Sequence, residues 1–213
     1  MNECKICENK TRELKDIKKS LTYFRCNSCG FTSLDEKNIV DKNTEKKHYE
    51  KHENSFEDLG YVKMFEDFVD VAVKPLGAIQ TALEFGCGFA PVLCSLLEKR
   101  GITVHKYDYY FHPVKIYENK KYDLITSTEV FEHLKDPLIT FDLLTKCLSE
   151  DGYLVLMTKF TLNNDQEFLK WWYRRDITHI SFFTPKSFEV IASKFGLKVL
   201  KTINENIVVF KKL

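Results

Sequence analysis

Leu83–Glu84–Phe85–Gly86–Cys87–Gly88–Phe89–Ala90 is the stretch that decides how this chain folds. The residues Ile79–Phe85 read as an apolar strand, and Pro91–Lys99 reads as a helix directly after the turn. Gly86 and Gly88 permit backbone angles closed to other residues and leave room for a ligand against the main chain. The helix that follows would offer free N–H groups and a positive dipole end to a polar ligand group. Two features separate this turn from a dinucleotide site. Pro91 stands where that fingerprint wants Gly or Ala, and Glu84 lies two residues before the first glycine. A carboxylate there repels phosphate but can hold a ligand ammonium. The expected ligand is therefore an amino-acid-bearing nucleoside.

The rest of the C-terminal portion alternates strands and helices. Thr103–Asp108 and Tyr122–Thr128 read as strands, Pro137–Cys147 as a helix and Tyr153–Lys159 as a strand. Thr184–Pro185 opens a helix that Gly196 ends. Leu197–Ile203 and Ile207–Lys211 form a closing hairpin around Asn204–Glu205–Asn206. The pattern predicts an α/β fold with a mostly parallel sheet, helices on both faces and an antiparallel C-terminal hairpin.

These pieces resemble the class I S-adenosylmethionine-dependent methyltransferases. Glu84-x-Gly86-x-Gly88-x-Ala90 is similar to their first motif, with Ala in place of the usual third Gly. Asp108 resembles the acid that accepts from the two ribose hydroxyls. Tyr122–His133 resembles the fourth strand with its loop, and Asp151–Met157 the turn and fifth strand. The resemblance implies a Rossmann-like sheet and S-adenosylmethionine as cofactor. The cofactor residues it implies are Glu84, Gly86, Cys87, Gly88, Asp108, Tyr109, Thr128 and Glu129. One departure is clear: Asp108 and Tyr122 are only 14 positions apart. The family usually places a helix, a third strand and an adenine-reading acid there. Tyr109–Pro113 fills the gap, which predicts a truncated sheet edge and an adenine site of aromatic and backbone contacts.

Upstream, Cys4-x-x-Cys7 and Cys26-x-x-Cys29 are separated by 18 residues, the spacing of a four-cysteine zinc ribbon. Four thiolates make a closed tetrahedral site, which is structural rather than catalytic. A core this small needs the metal's binding energy to fold. Short strands are expected at Leu14–Ile17 and Leu21–Phe24. A polar linker follows over Leu34–Lys47, and an amphipathic helix over Phe56–Val73 that covers the cofactor. The organisation is a ribbon at 1–33, linker and capping helix at 34–77, and the cofactor domain at 78–213. Tyr49, His52 and Tyr61 are candidates for the acceptor pocket, although simple packing explains each equally well.

The acceptor wall is expected in Trp171–Phe183, after the fifth strand. Its aromatics and two arginines suit a planar or sugar acceptor. Asp176 and His179 are three apart, so the carboxylate can orient the imidazole, and His179 is the candidate general base. Glu129 faces cofactor or acceptor at the carboxyl end of the sheet. His133 is read as a loop residue holding its turn. Cys94 and Cys147 are read as buried small hydrophobes.

Composition sets the outer bounds. The chain has 213 residues, 32 Lys+Arg against 31 Asp+Glu, and net charge +1, so no global basic field points to nucleic acid. No apolar run is long enough to span a bilayer, and Met1–Lys5 lacks a signal-type apolar stretch. Seven cysteines in that context argue for a reducing cytoplasm. The leading reading is methyl transfer to a small molecule. The alternatives are an RNA methyltransferase gripping nucleic acid through Lys10, Arg12, Lys15, Lys18, Lys19 and Arg25 of the ribbon, and a non-catalytic cofactor-binding module.

Overall fold

The computed structural model describes residues 2–50 and 55–213. It opens with three antiparallel strands, β1 (Thr11–Asp16), β2 (Leu21–Cys26) and β3 (Thr32–Leu34). The expected polar linker is largely helical. Asp35 caps a 3-10 turn over Glu36–Asn38, and α1 spans Lys42–Tyr49. The Asp41 side chain accepts from the N–H groups of Asn43 and Thr44 and so starts α1. This helix carries too few apolar residues for periodicity to reveal it. Next, α2 (Leu59–Phe68) continues into a π-helical turn over Val69–Val73; a helix was expected at Phe56–Val73, but this one packs on the sheet and α3, and none of its residues lines the cavity above the glycine turn.

The main sheet contains β4 (Thr81–Phe85), β5 (Thr103–Tyr107), β6 (Tyr122–Thr128), β7 (Leu148–Met157), β9 (Leu197–Ile203) and β10 (Ile207–Lys212). Their order is β5-β4-β6-β7-β10-β9. The first four are parallel, and β10 and β9 close the sheet antiparallel. Among the described residues no strand pairs with the outer side of β5, as the short 108–122 spacing anticipates. β7 begins five residues earlier than expected. Asp151–Gly152 forms a bulge rather than a turn, with Asp151 at φ +60° and a register shift against β6.

Neighbouring residues of the central strands point to opposite faces, so each strand builds two cores. Leu83, Ile125, Leu154 and Phe210 pack with Phe141 and Leu144 of α4 (Pro137–Cys147) and Phe188 and Ile191 of the later helix Pro185–Lys194. Ala82, Leu124, Val155 and Val209 pack with Phe65 and Phe68 of α2 and Leu93 and Leu97 of α3 (Val92–Glu98).

The N-terminal strands do not stand alone. Strand β3 pairs with β8 (Ser181–Phe182), so the ribbon's sheet includes a strand from the far end of the chain. Leu14, Tyr23 and Leu34 share a core with Phe168, Tyr173, Ile180 and Phe182. Two buried guanidiniums tie the same parts. Arg25 donates to Asp165, to the Asn163 carbonyl and to Thr32. Arg174 donates to Asp16, Tyr23 and the Phe168 carbonyl. Residues 161–182 are thus held from behind by the ribbon. Replacing Arg25 with Met leaves Thr32 Oγ1 and the Asn163 carbonyl without this donor while Arg12 still holds Asp165, and should cost about 2 kcal/mol. Urea unfolding checks this; an unchanged midpoint would contradict the clamp.

Candidate active site

The strand-to-helix turn after β4 forms the floor of the site. Gly86 has φ +87°, and a Cβ there would lie 2.2 Å from Val130 Cγ2, so only glycine fits. Gly88 has φ +65°, and a Cβ there would meet nothing within 4 Å; its open side is where a ligand can approach the backbone. Asp108, just past the end of β5, accepts from Gly88 N–H at 3.0 Å, Tyr110 N–H at 2.9 Å and Phe111 N–H at 3.0 Å. One carboxylate thus fixes the glycine turn and the aromatic loop together. A carboxylate has about four lone-pair directions, so one remains for a ligand hydroxyl.

Above this floor is a cavity of about 490 Å³. Its lining includes Gly86, Gly88, Asp108 and Glu129, with Phe85, Phe89, Tyr107, Tyr109, Tyr110, Phe111 and Tyr117 as an aromatic wall. Helix α1 closes one side, with Lys42, Glu45 and Tyr49 in the lining. Tyr110 Oη donates to Glu45 at 2.9 Å, and the Tyr49 ring packs on Tyr110 and His133. Tyr61 of α2 is half-buried near the glycine turn. Burial raises its phenol pKa, and the charges of Glu84, Cys87 and Asp108 add to this. His52 lies outside the described residues.

Glu84 takes a different place from the expected one. It is 1% exposed, lies outside the cavity lining, and accepts from Cys94 Sγ at 2.9 Å. Burial pushes its carboxyl up to about 7, with Cys94 partly opposing. Burial likewise pushes up the Cys87 and Cys94 thiols, so neither is a ready nucleophile.

At the far end of the cavity the loop after β6 meets residues 173–180. Glu129 is held at φ +52°, a left-handed conformation rare for this residue type. Tyr173 Oη lies 2.6 Å from Glu132 and 3.1 Å from Glu129. Its single proton goes to the nearer Glu132. Burial, and next the adjacent Glu132 charge, raise the Glu129 pKa well above the usual carboxylate range.

His179 Nδ1 lies 2.7 Å from the Tyr173 carbonyl. A carbonyl only accepts, so Nδ1 carries the proton and Nε2 the lone pair. Burial, with His133 nearby, pushes the His179 pKa down to about 4, which keeps the ring neutral. The expected orienting role of Asp176 falls instead to that carbonyl. Asp176 is 4.0 Å from His179 and accepts from Thr178 N–H, Thr178 Oγ1 and His48 Nε2. Burial opposes its ionisation, yet those bonds hold its carboxyl below the usual range.

The four N-terminal cysteines converge separately. Sγ–Sγ distances are 3.7 Å for Cys4–Cys29, 3.4 Å for Cys7–Cys26 and 3.6 Å for Cys7–Cys29. Disulfides need about 2 Å, whereas a tetrahedral ion with bonds of about 2.3 Å sets edges of roughly 3.8 Å. Backbone N–H groups of Ile6, Ser28 and Cys29 point at these sulfurs, as thiolate ligands require.

The sequence matches the family described as "Methyltransferase domain" over residues 47–202. The chain belongs to this family. No curated protein matches it at a significant level. Among solved structures it is similar to the mitomycin 7-O-methyltransferase MmcR, with TM-score 0.57 and 13% identity over 72% of this chain and 55% of that one. An O-methyltransferase family protein from Burkholderia thailandensis gives TM-score 0.51 and 13% identity over 71% and 56%. Magnesium protoporphyrin IX methyltransferase from Synechocystis PCC 6803, solved with bound SAM, gives TM-score 0.53 and 12% identity over 80% and 92%. The chain therefore spans about half the length of the first two. These likenesses establish the fold.

Within this methyltransferase domain, the structure brings Gly86, Gly88, Asp108, Tyr109 and Glu129 into one cavity wall. Thr128 is buried at the end of β6, and Cys87 is buried within the turn. Sequence reading gave no role to Glu132, Tyr173 or Glu45. The available signal for Glu132 was its place in the loop after β6, at the carboxyl end of the sheet where ligands bind.

Glu84 links the site to pH. Its native pKa lies above the unfolded value near 4.5, so its protonated form is favoured in the fold. That contribution is intact at low pH and is lost as pH rises through about 7. Between pH 5 and 8 the ligand-free protein should lose on the order of 3 kcal/mol through this group. Urea midpoints of Glu84→Gln should fall correspondingly less over that interval; identical pH slopes would contradict it.

Proposed function

We propose that this chain transfers a methyl group from S-adenosylmethionine to a small-molecule acceptor. One observation carries the reading: a single cavity runs from the Gly86–Gly88 turn and Asp108 to Glu129 and His133. Cofactor residues, Glu129 and His133 thus share one chamber, and His179 sits behind its lining with its ring 4.7 Å from that of His133. Its volume of about 490 Å³ lies within the range of small-ligand pockets.

The residues suit the cofactor. Gly88 opens the backbone, Asp108 offers a fixed carboxylate for ribose hydroxyls, and Tyr107, Tyr109, Phe111 and Tyr117 supply surfaces for a base. S-adenosylmethionine, when bound, supplies an activated methyl on its sulfonium. The protein's work is then positioning and exclusion of water. His179, neutral and with its lone pair on Nε2, is suited to take a proton from an acceptor hydroxyl or amine. Glu129 lines the same cavity, and its raised pKa favours a carboxyl that can hydrogen-bond an acceptor oxygen. Asp176 acts through His48 and Thr178 to hold the segment around His179.

The ribbon cations favour this reading over nucleic-acid binding. Arg12 and Arg25 both pair with Asp165, and Lys15 lies 3.5 Å from Glu13. Cys4, Cys7, Cys26 and Cys29 are proposed to hold one structural zinc, with no open position for chemistry.

Two outcomes check these assignments. Asp108→Ala should weaken S-adenosylmethionine binding by about 100-fold or more in calorimetry, the loss of roughly 3 kcal/mol of charge-assisted hydrogen bonding; unchanged affinity would refute the site. Elemental analysis of extensively dialysed protein should find about one zinc per chain, and metal-free folded protein would refute the ribbon assignment.

A further inference from the structure

A second set of ligating groups lies outside the cysteine cluster, at the acceptor end of the cavity. Glu132, His133 and His179 each bring one ligand atom within 4.8 Å of the other two. They come from two separate segments that are fastened together. Ile180 N–H donates to the Glu132 carbonyl at 2.8 Å, and Ser181 Oγ donates to the Leu134 carbonyl at 2.6 Å. The juxtaposition is therefore built by the backbone and does not depend on side-chain drift.

Both imidazoles are set in the same tautomer. His179 Nδ1 faces the Tyr173 carbonyl at 2.7 Å, and His133 Nδ1 faces the Thr178 carbonyl at 3.1 Å. Each carbonyl requires an N–H, so each ring keeps its lone pair on Nε2. His133 Nε2 lies 3.9 Å from Glu132 Oε1, and His179 Nε2 lies 4.0 Å from Asp176 Oδ2. An Nδ1–H bonded to a carbonyl is the outer-sphere arrangement that orients metal-binding histidines. Glu132 supplies an independent sign. Its side chain is 0% exposed, and Oε2 has no hydrogen-bond partner among the described residues. A fully buried carboxylate oxygen without a partner is costly unless something binds it.

We propose that Glu132, His133 and His179 form a second metal site, for a divalent first-row transition ion, opening onto the cavity. Two imidazoles and one carboxylate suit zinc, iron, cobalt or nickel better than magnesium or calcium, which prefer oxygen ligands. Bonds of about 2.1 Å place ligand atoms some 3.0–3.5 Å apart, so binding draws the three groups together by roughly an ångström. Three protein ligands leave positions for exogenous groups, as in catalytic rather than structural sites. His133 lines the cavity, so those positions face it. The use of the site rests on the methyl-transfer reading. A bound ion would lower the proton affinity of an acceptor oxygen, whose proton would pass to water in the cavity, while His179 would be a ligand in place of a base.

The test uses the full-length protein with its cysteine site already filled by zinc. Calorimetric titration with Co2+ should show one further equivalent, and His179→Ala should weaken it at least about tenfold. No further equivalent, or unaltered affinity in that variant, would overturn the site. Glu132→Gln disturbs the buried Tyr173 contact and is a poor probe, so wild-type protein gives the second readout. In 15N spectra of the histidine rings, zinc should shift Nε2 of His133 and His179 while Nδ1 stays protonated; unmoved resonances would overturn the proposal. S-adenosylmethionine affinity, measured in parallel, separates the two ideas. Cofactor binding without a second metal defeats only this inference, and failure to bind the cofactor defeats the methyl-transfer reading.

Discussion

The hydrogen-bonded contact of β3 with β8 is the constraint on which the acceptor side of the site depends. Strand β8 is two residues long and belongs to no part of the main sheet. Alone it could not fix the backbone of residues 171–183. Pairing with the ribbon, together with buried Arg25 and Arg174, gives that segment a rigid back plate. Thr184 Oγ1 adds a bond to the Cys29 carbonyl at 2.6 Å, directly beside the cysteine cluster. The four-cysteine module therefore functions as a brace for the wall that carries Tyr173, Asp176 and His179. This gives the proposed closed metal site a structural purpose beside the methyltransferase sheet.

The cofactor side depends on other forces. The parallel strands end together at one edge of the sheet, where Gly86, Asp108 and Glu129 sit on successive turns. Backbone strain at Glu129 is maintained by its N–H bond to the Met157 carbonyl at 2.8 Å. Tyr173 then joins the two sides. Its hydroxyl contacts the carboxyl pair and its carbonyl sets the His179 tautomer. A single residue of the braced wall thus contacts both the carboxyl pair and the His179 ring.

The sequence displayed what is local. The glycine turn, the acid at Asp108, the paired Cys-x-x-Cys spacings, and most strands and helices lie within short windows where residue type dictates geometry. The shortened 108–122 segment correctly announced the missing edge strand. What it did not display is non-local. Nothing in Thr32–Leu34 or Ser181–Phe182 marks them as partners about 150 positions apart. Helix α1 was hidden because its stability comes from capping and from contacts with Tyr110 and Asp176, not from an apolar face. The Asp176–His179 spacing suggested a pair that the turn geometry does not make, since both Asp176 oxygens are engaged by Thr178 and His48.

The bracing role of the ribbon is most directly tested by hydrogen exchange in a Cys4→Ser/Cys29→Ser variant compared with the wild type. The account requires faster exchange in both 4–34 and 161–184, with β4, β6 and β7 as protected as before. Faster exchange confined to 4–34, with 161–184 unchanged, would contradict it.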